Sequence, residues 1–192
     1  MRMFWLLILL VSLDASPAGQ RAGWQLDTEA SRLSFESRKN TTIRETHSFR
    51  QLNGRVDSDG AIVVEVDLMS VDTAIPIRDE RMRNLLFKMS PSIEVHAVID
   101  MAAVGVLNLS EGLTIDLNAR LLLNGKQTML PMTLDLERVS ESKIQVLGEG
   151  LIDVAAYGYR PGIEALREIA GLQHISTEVP YQLKLLFEKT GP

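Results

Sequence analysis

The chain has 192 residues, of which 45% are apolar and 23% are charged, a composition typical of a single globular domain rather than a disordered chain. The formal net charge of −5 argues against a basic surface for nucleic acid, so we expect no nucleic-acid partner. The absence of cysteine excludes disulfides, zinc–thiolate sites, iron–sulfur clusters and thiol catalysis.

The N-terminal residues have the form of a secretory signal peptide. Arg2 precedes an apolar run over 3–13, and small residues such as Ser16 follow at the positions that a signal peptidase reads. The run is short for a membrane-spanning helix, although an uncleaved anchor is the alternative. We predict a signal peptide over 1–18 and a single domain over 19–192.

Most of the remaining chain alternates apolar and polar residues with period two, which predicts half-buried strands. The alternation covers residues near 33–37, 62–68, 93–99, 113–123, 130–136 and 179–187, and segments 43–55 and 143–155 complete a set of eight. Asn124-Gly125, Asp59-Gly60 and Glu141-Ser142 are turn signals between consecutive strands. The pattern predicts a mainly β protein whose eight antiparallel strands close into a barrel, because closure removes exposed strand edges.

Two segments have helical rather than strand periodicity. Residues 77–89 place Met82, Leu86 and other apolar residues on one face, and we expect this helix to cover an opening of the barrel. The second helix is predicted over 161–170, where Pro161 marks the start and a glycine follows the end.

No motif of an enzyme active site or of a phosphate-binding loop occurs in the chain. The three histidines, His47, His96 and His174, lie on separate segments, so no pair has the spacing of metal ligands. We therefore expect no catalytic residue, no metal and no cofactor. His47 is expected in a polar cluster near the barrel mouth, whereas His96 should point outward from its strand.

The predicted first helix carries the charged cluster Arg78, Asp79, Glu80, Arg81 and Arg83, which has two interpretations. It is a solvated helix face with internal ion pairs, or its arginines lie over the barrel entrance and contact the polar head of a ligand. Arg78 and Arg81 are three residues apart, so one ligand could contact both.

The sequence leaves open whether the barrel is hollow or packed solid. Small residues fall at predicted inward positions, namely Ala97, Ala119, Gly148 and Gly150, and six methionines of the predicted domain could line a cavity for a flexible apolar ligand. The same glycines could instead serve strand bends, and the methionines could fill gaps in a solid core.

Several short motifs stand in a particular order along the predicted domain. They are Trp24-Gln25-Leu26-Asp27, the segment from Ser31 to Phe35, the segment from Thr46 to Phe49, Ser70-Val71-Asp72-Thr73, Arg78-Asp79, the hairpin from Leu121 to Leu134, and Asp153 with Tyr157 and Gly158. Over about residues 24–189 this order resembles the YceI-like family of bacterial periplasmic lipid-binding proteins, which have a lipocalin-like barrel.

The resemblance implies a periplasmic protein that binds a polyisoprenoid chain, such as the tail of a quinone or of a polyprenyl lipid, for carriage, storage or stress protection. We predict that the tail contacts inward residues of the barrel and its cover: Phe35, Phe49, Val64, Val66, Leu68, Met82, Leu86, Ile99, Leu117, Ala119, Leu134, Tyr157 and Leu183. His47, Arg78 and Arg81 are predicted to orient the head group.

Two alternatives remain beside this interpretation. A packed barrel would make the chain an envelope protein that interacts with partners and binds no lipid. A lipid-modifying enzyme would need a base, for which His47 and Asp72 are the candidates. A membrane or a membrane protein is a candidate donor of the lipid, and the sequence leaves homodimer formation open.

Overall fold

Antiparallel strands dominate the architecture in the computed structural model, which describes residues 23–40 and 42–191. The predicted signal peptide over 1–18 lies outside the described residues. The strands are β1 (Gly23–Leu26), β2 (Arg32–Lys39), β3 (Ile43–Phe49), β4 (Leu52–Val56), β5 (Ala61–Asp67), β6 (Val71–Asp72), β7 (Ser92–Val98), β8 (Gly112–Leu123), β9 (Lys126–Ser140), β10 (Lys143–Asp153) and β11 (Glu178–Thr190).

The sheet closes on itself because β1 pairs with both β4 and β11. The closed ring runs β1-β4-β5-β7-β8-β9-β10-β11, and every neighbouring pair is antiparallel. Strands β1 and β2 form one bent strand, and both pair with β11. Strand β3 pairs with β2 and, after a second bend, continues into β4. Counted as bent strands, these pieces make the predicted eight-stranded antiparallel barrel, which is confirmed.

The chain bends at two places near the start of the barrel, and one of these bends divides a predicted strand. Segment 43–55 was predicted as one strand, but it divides into β3 and β4 at Arg50 and Gln51. The backbone N–H groups of both residues donate to Ser70 Oγ, at 3.1 and 3.0 Å. The bend between β1 and β2 is held by Asp27, whose carboxylate accepts two following backbone N–H groups.

The hairpin turns fall where the sequence predicts them. Asn124 and Gly125 have φ values of 51° and 72° between β8 and β9, as a two-residue hairpin loop requires. Gly60, in the turn before β5, has a φ of 86°, and an added Cβ there would lie 2.0 Å from the carbonyl oxygen of Ile99. A side chain is therefore excluded at Gly60 by both backbone conformation and space.

Three α-helices accompany the barrel in the part of the chain that the structure describes. The first predicted helix is α1 (Pro76–Met82), which continues as a π-helical turn over Arg83–Phe87. The second predicted helix is α3 (Arg160–Ile169). The sequence did not predict α2 (Met101–Gly105), because five residues are too few for a periodic pattern, nor the 3₁₀ turns Leu68–Ser70 and Val154–Tyr157.

The two ends of the barrel differ in how they are covered. At one end, where β2 ends and β11 begins, α1, its π-helical turn and α3 pack together, with Gly162 of α3 against the carbonyl oxygen of Leu85. We call this the mouth end. At the other end, where β11 meets β1, Trp24 and Val56 are buried, and Val104 brings α2 against the core. We call this the closed end.

Candidate ligand-binding cavity

The barrel is hollow, with a cavity of about 490 Å³ that lies within the usual range of roughly 300–1,000 Å³ for small-molecule sites. Alternate residues of the barrel strands line it, because side chains at period two point to the same face of a sheet. Aliphatic examples from different strands are Leu33, Val64, Val95, Ile115, Leu130, Val146 and Leu185. A solidly packed barrel is therefore not what this sequence forms.

The two inward glycines of β10 do not enlarge this cavity. An added Cβ at Gly148 would lie 2.6 Å from Leu134 Cδ2, and one at Gly150 would lie 2.5 Å from the hydroxyl of Tyr181. The space that these glycines leave is filled by the side chains of Leu134 and Tyr181 from the neighbouring strands. The glycines allow these larger side chains to lie over the inward face of β10.

The structure brings together nearly all residues predicted to contact the tail. All of them line the cavity except Ala119 and Tyr157. Ala119 is 0% exposed and does not line the cavity, whereas Leu117 and Leu121, two residues before and after it on the same face of β8, do. The Tyr157 hydroxyl instead forms a 2.6 Å hydrogen bond with Thr128 Oγ1, which ties the 3₁₀ turn after β10 to β9.

The predicted tail contacts omit five aromatic residues of the cavity: Tyr181 and Phe187, which belong to the predicted strand over 179–187, and three others. Of these three, Trp24 lies at the closed end, Phe87 ends the π-helical turn and Tyr159 precedes α3. None of the three belongs to an extended alternating run. The nearby Tyr157, which the family resemblance singled out, is buried but does not line the cavity.

Aromatic rings form a continuous row along one wall. Phe35 and Phe49 are stacked at 5.1 Å between ring centroids, and Phe35 meets the ring of His47 at 5.3 Å. Phe49 contacts Phe87 at 6.0 Å, and Phe87 contacts Tyr159 at 6.2 Å. These spacings suit edge and offset ring contacts, so the row joins the barrel wall to its helical cover. Burial raises the pKa of Tyr159 to about 12, so its phenol stays neutral.

Polar lining residues gather at the mouth end, where a carboxylate lies between two cations. Glu45 of β3 pairs with Lys39 of β2 and, at 2.7 Å, with the Arg78 guanidinium of α1. The hydrogen bond from Lys39 and the charge of Arg78 hold the pKa of Glu45 below its usual value. Arg78 also donates to the carbonyl oxygen of Thr73 at 2.8 Å. This ion-pair group fastens α1 to the barrel wall.

His47 lies inside this polar group and is only 4% exposed. Its Nε2 is 2.9 Å from Ser37 Oγ, and its buried Nδ1 has no hydrogen-bond partner among the described residues. Burial lowers the pKa of His47, and the positive charge of Arg78 lowers it further. At neutral pH the site thus presents an uncharged imidazole beside a hydroxyl, and the structure places His47 in a polar cluster near the mouth, as predicted.

The charged residues of α1 do not all follow one of the two interpretations that the sequence allowed. Arg78 and Arg81 both line the cavity, which agrees with a place at the entrance. Asp79, expected on a solvated face, is instead buried and accepts hydrogen bonds from the backbone N–H and the hydroxyl of Thr73. It thereby fixes the start of α1, and the expected ion pairs within the helix are replaced by the pair between Arg78 and Glu45.

The arrangement does not form the relay of a serine hydrolase. Ser37 and Glu45 approach the same ring nitrogen, His47 Nε2, at 2.9 and 3.9 Å, whereas such a relay needs the carboxylate on the opposite nitrogen. Asp72, the other candidate base, pairs with the exposed Arg50 at 2.9 Å and accepts the backbone N–H of Ala74. Its place in β6 is outside the set of cavity residues.

Within residues 23–40 and 42–191, no group of three or more histidine and carboxylate side chains could hold a metal ion. No helix in the same part of the chain has the length and apolar character needed to cross a membrane.

A closed antiparallel barrel with an apolar cavity and one polar mouth defines a lipocalin-like barrel with a site for a small apolar molecule. The chain belongs to the YceI-like family, since the model of the YceI-like domain matches residues 24–187. This agrees with the family that the sequence motifs indicated.

Solved structures show the same fold. A polyisoprenoid binding domain from Saccharophagus degradans, implicated in plant cell wall breakdown, is 37% identical with a TM-score of 0.85, over 88% of this chain and 99% of that one. BcnA from Burkholderia cenocepacia is 15% identical with a TM-score of 0.66, over 84% of this chain and 98% of that one. A mutant CJ YCEI protein is 11% identical with a TM-score of 0.57, over 81% and 90% of the two chains. The last two likenesses concern the fold alone. A search of the curated proteins finds no match.

Proposed function

We propose that this protein binds the tail of a polyisoprenoid inside its barrel and carries or stores it. The observation that carries the proposal is the apolar cavity of about 490 Å³ whose polar groups gather at one end. A molecule with a long apolar tail and a small polar head matches this distribution. The 37% identical domain from Saccharophagus degradans, described as polyisoprenoid binding, supports the same ligand class.

The affinity would come mainly from burial of the tail. Each Å² of apolar surface removed from water contributes about 25 cal/mol, so a long tail needs no strong polar contact to bind tightly. Met82, Met101 and Met132 lie among the lining residues. Their flexible thioethers can adapt to the methyl branches of an isoprenoid chain.

We further propose a neutral head group, such as a quinone ring, rather than a phosphate. The cations Lys39 and Arg78 share the single carboxylate of Glu45, which compensates one of their two charges. Beside them, the neutral His47 and the hydroxyl of Ser37 offer hydrogen bonds suited to a carbonyl or hydroxyl group. The head would lie among these groups while the tail extends along the aromatic row.

We place the protein in the periplasm, with residues 1–18 removed on export. The support is the form of the N-terminal sequence. Expression in a bacterial host followed by cell fractionation and intact-mass measurement tests this proposal. We expect the periplasmic fraction to contain a chain that has lost about its first 18 residues, and full-length protein in the membrane fraction would contradict it.

Titration of lipid-free protein with a polyprenol tests the choice of tail. We expect saturable binding of one molecule per chain, tighter than that of a straight-chain alcohol with the same number of carbons. Equal affinities for the branched and straight chains would show that the site binds apolar chains in general and does not select an isoprenoid. A signal that never saturates would contradict binding inside the cavity.

A further inference from the structure

The rim of the mouth carries apolar side chains that the fold leaves in water. Ile75 and Ile77, at the start of α1, are 43% and 52% exposed, and both also line the cavity. Ile43 is 45% exposed and lies in register with the lining residue Lys39. The apolar surface of the cavity therefore continues outward onto the surface of the protein.

Two cations lie close to these isoleucines along the chain, Arg44 directly after Ile43 in β3 and Arg81 one turn after Ile77 in α1. Arg44 and Arg81 are exposed and form no ion pair with any residue that the structure describes. This differs from Lys39 and Arg78, which share Glu45. Apolar side chains next to uncompensated cations are the combination that favours a bilayer surface containing anionic lipid.

We propose that this rim, Ile43, Ile75 and Ile77 with Arg44 and Arg81, docks onto an anionic lipid bilayer. The inference rests on the proposed function, because a polyisoprenoid tail that passes from bilayer to cavity through water would lose all of its apolar burial on the way. Contact between the rim and the bilayer removes that aqueous step. The rim isoleucines enter the interface, and the arginines contact lipid phosphates.

A second copy of the chain fits this surface less well than a bilayer does. Docking mouth to mouth about a twofold axis places the same surface on both partners. The uncompensated Arg44 and Arg81 of each copy would then face like charges, which costs free energy. A bilayer with anionic headgroups supplies the opposite charge instead.

Single cysteines allow a site-specific test, because the chain contains none of its own. Ile77→Cys carries an environment-sensitive fluorophore at the rim. Val106→Cys carries it after α2, toward the closed end, at another exposed apolar position that is 76% exposed. Each labelled protein is mixed with phosphatidylcholine vesicles that contain a minority of phosphatidylglycerol and no isoprenoid. Intact masses confirm that both proteins have the same N-terminus.

We expect the emission at position 77 to rise and shift to shorter wavelength with vesicles, whereas emission at position 106 stays unchanged. Adding Arg44→Gln or Arg81→Gln to Ile77→Cys should raise the half-maximal vesicle concentration about fivefold for each arginine. Unchanged emission at position 77, or equal changes at both positions, overturns the proposal. The proposal is also overturned if the emission at position 77 changes with protein concentration and not with vesicle concentration, because this would indicate binding of a second copy. Should Ile77→Cys fold poorly, Ile75→Cys provides the same rim readout.

This test is independent of ligand binding, because the vesicles hold no isoprenoid. Docking without any uptake of polyprenol would contradict the proposed function and leave the rim surface standing. Uptake of polyprenol from detergent without docking would support the proposed function and overturn the proposal about the rim.

Discussion

His47 couples the polar mouth to pH. Burial and the charge of Arg78 lower its pKa in the folded state, so below pH 6.5, its ordinary value, the unfolded chain binds the extra proton first. The free energy of unfolding should then fall as the pH drops below 6.5 toward the folded pKa, with a slope of at most about 1.4 kcal/mol per pH unit. Urea denaturation between neutral pH and pH 5 measures this slope.

His47→Gln should flatten this part of the profile, because glutamine does not titrate. His96 and His174 are present in both proteins, so any contribution from them to the slope cancels in the comparison. Glu45 contributes separately. Its lowered pKa gives stability that is present above pH 4.5 and is lost only below that value. The same slope in His47→Gln as in the unmodified protein would show that His47 is not the titrating group.

Glu45 sets the charge that a head group meets. Glu45→Gln removes the carboxylate between Lys39 and Arg78 and leaves both cations uncompensated. We expect the affinity for a polyprenyl phosphate to rise about tenfold while the affinity for a polyprenol changes little. Glu188→Gln is the matched control, since its partner Lys143 lies near the closed end. An equal gain in affinity for the polyprenyl phosphate and the polyprenol would show that Glu45 does not act by compensating the charge of Lys39 and Arg78.

At the scale of elements, the sequence predicts what depends on local pattern. Alternation and the Asn124-Gly125 turn identify the strands and their order, because period two and the positive φ of the turn are local properties. The bend at Arg50 and Gln51 could not be found in this way. It depends on Ser70, which is distant in sequence and reaches these amides only in the folded chain.

The cover of the mouth depends on the contact between α3 and the π-helical turn. An added Cβ at Gly162 would lie 2.3 Å from the backbone carbonyl oxygen of Leu85, so one of the two elements must move. Gly162→Ala should lower the free energy of unfolding by about 1–3 kcal/mol and speed the release of ligand. Denaturation and the dissociation rate of a bound polyprenol measure the two effects.

Gly105→Ala provides the control for this substitution. Gly105 lies in α2, and an added Cβ there would meet nothing within 4 Å. We expect this variant to be as stable as the unmodified protein or slightly more stable, because alanine favours helix. Equal losses in both variants would assign the effect to the loss of glycine rather than to the contact between α3 and the turn.

For the whole molecule, the hollow interior is the property that the sequence left undecided. Inward positions could be identified, but whether their side chains meet across a barrel depends on its diameter and on which residues face each other. Gly148 and Gly150 illustrate this, since Leu134 and Tyr181 fill the space that the glycines leave. Ala119 faces inward as predicted, yet it does not line the cavity.

Filling the cavity should abolish binding without unfolding the barrel. Ala97→Trp adds an indole ring to a residue that lines the cavity. We expect at least a tenfold loss of polyprenol affinity, with stability retained to within about 1.5 kcal/mol, because the ring enters existing space. His96→Trp makes the same change on the preceding, outward-facing residue of β7 and should bind normally. Full binding by Ala97→Trp would place the ligand elsewhere.

The most direct test of the central claim is native mass spectrometry of the protein after export to a bacterial periplasm, followed by organic extraction of the sample. We predict a chain with one added mass that dissociates as a single lipid, and an extract in which that lipid has a polyisoprenoid tail. Ala97→Trp, prepared in the same way, should have the mass of the chain alone. An unmodified protein that carries no lipid and takes up none from added polyprenol or isoprenoid quinone would contradict the account.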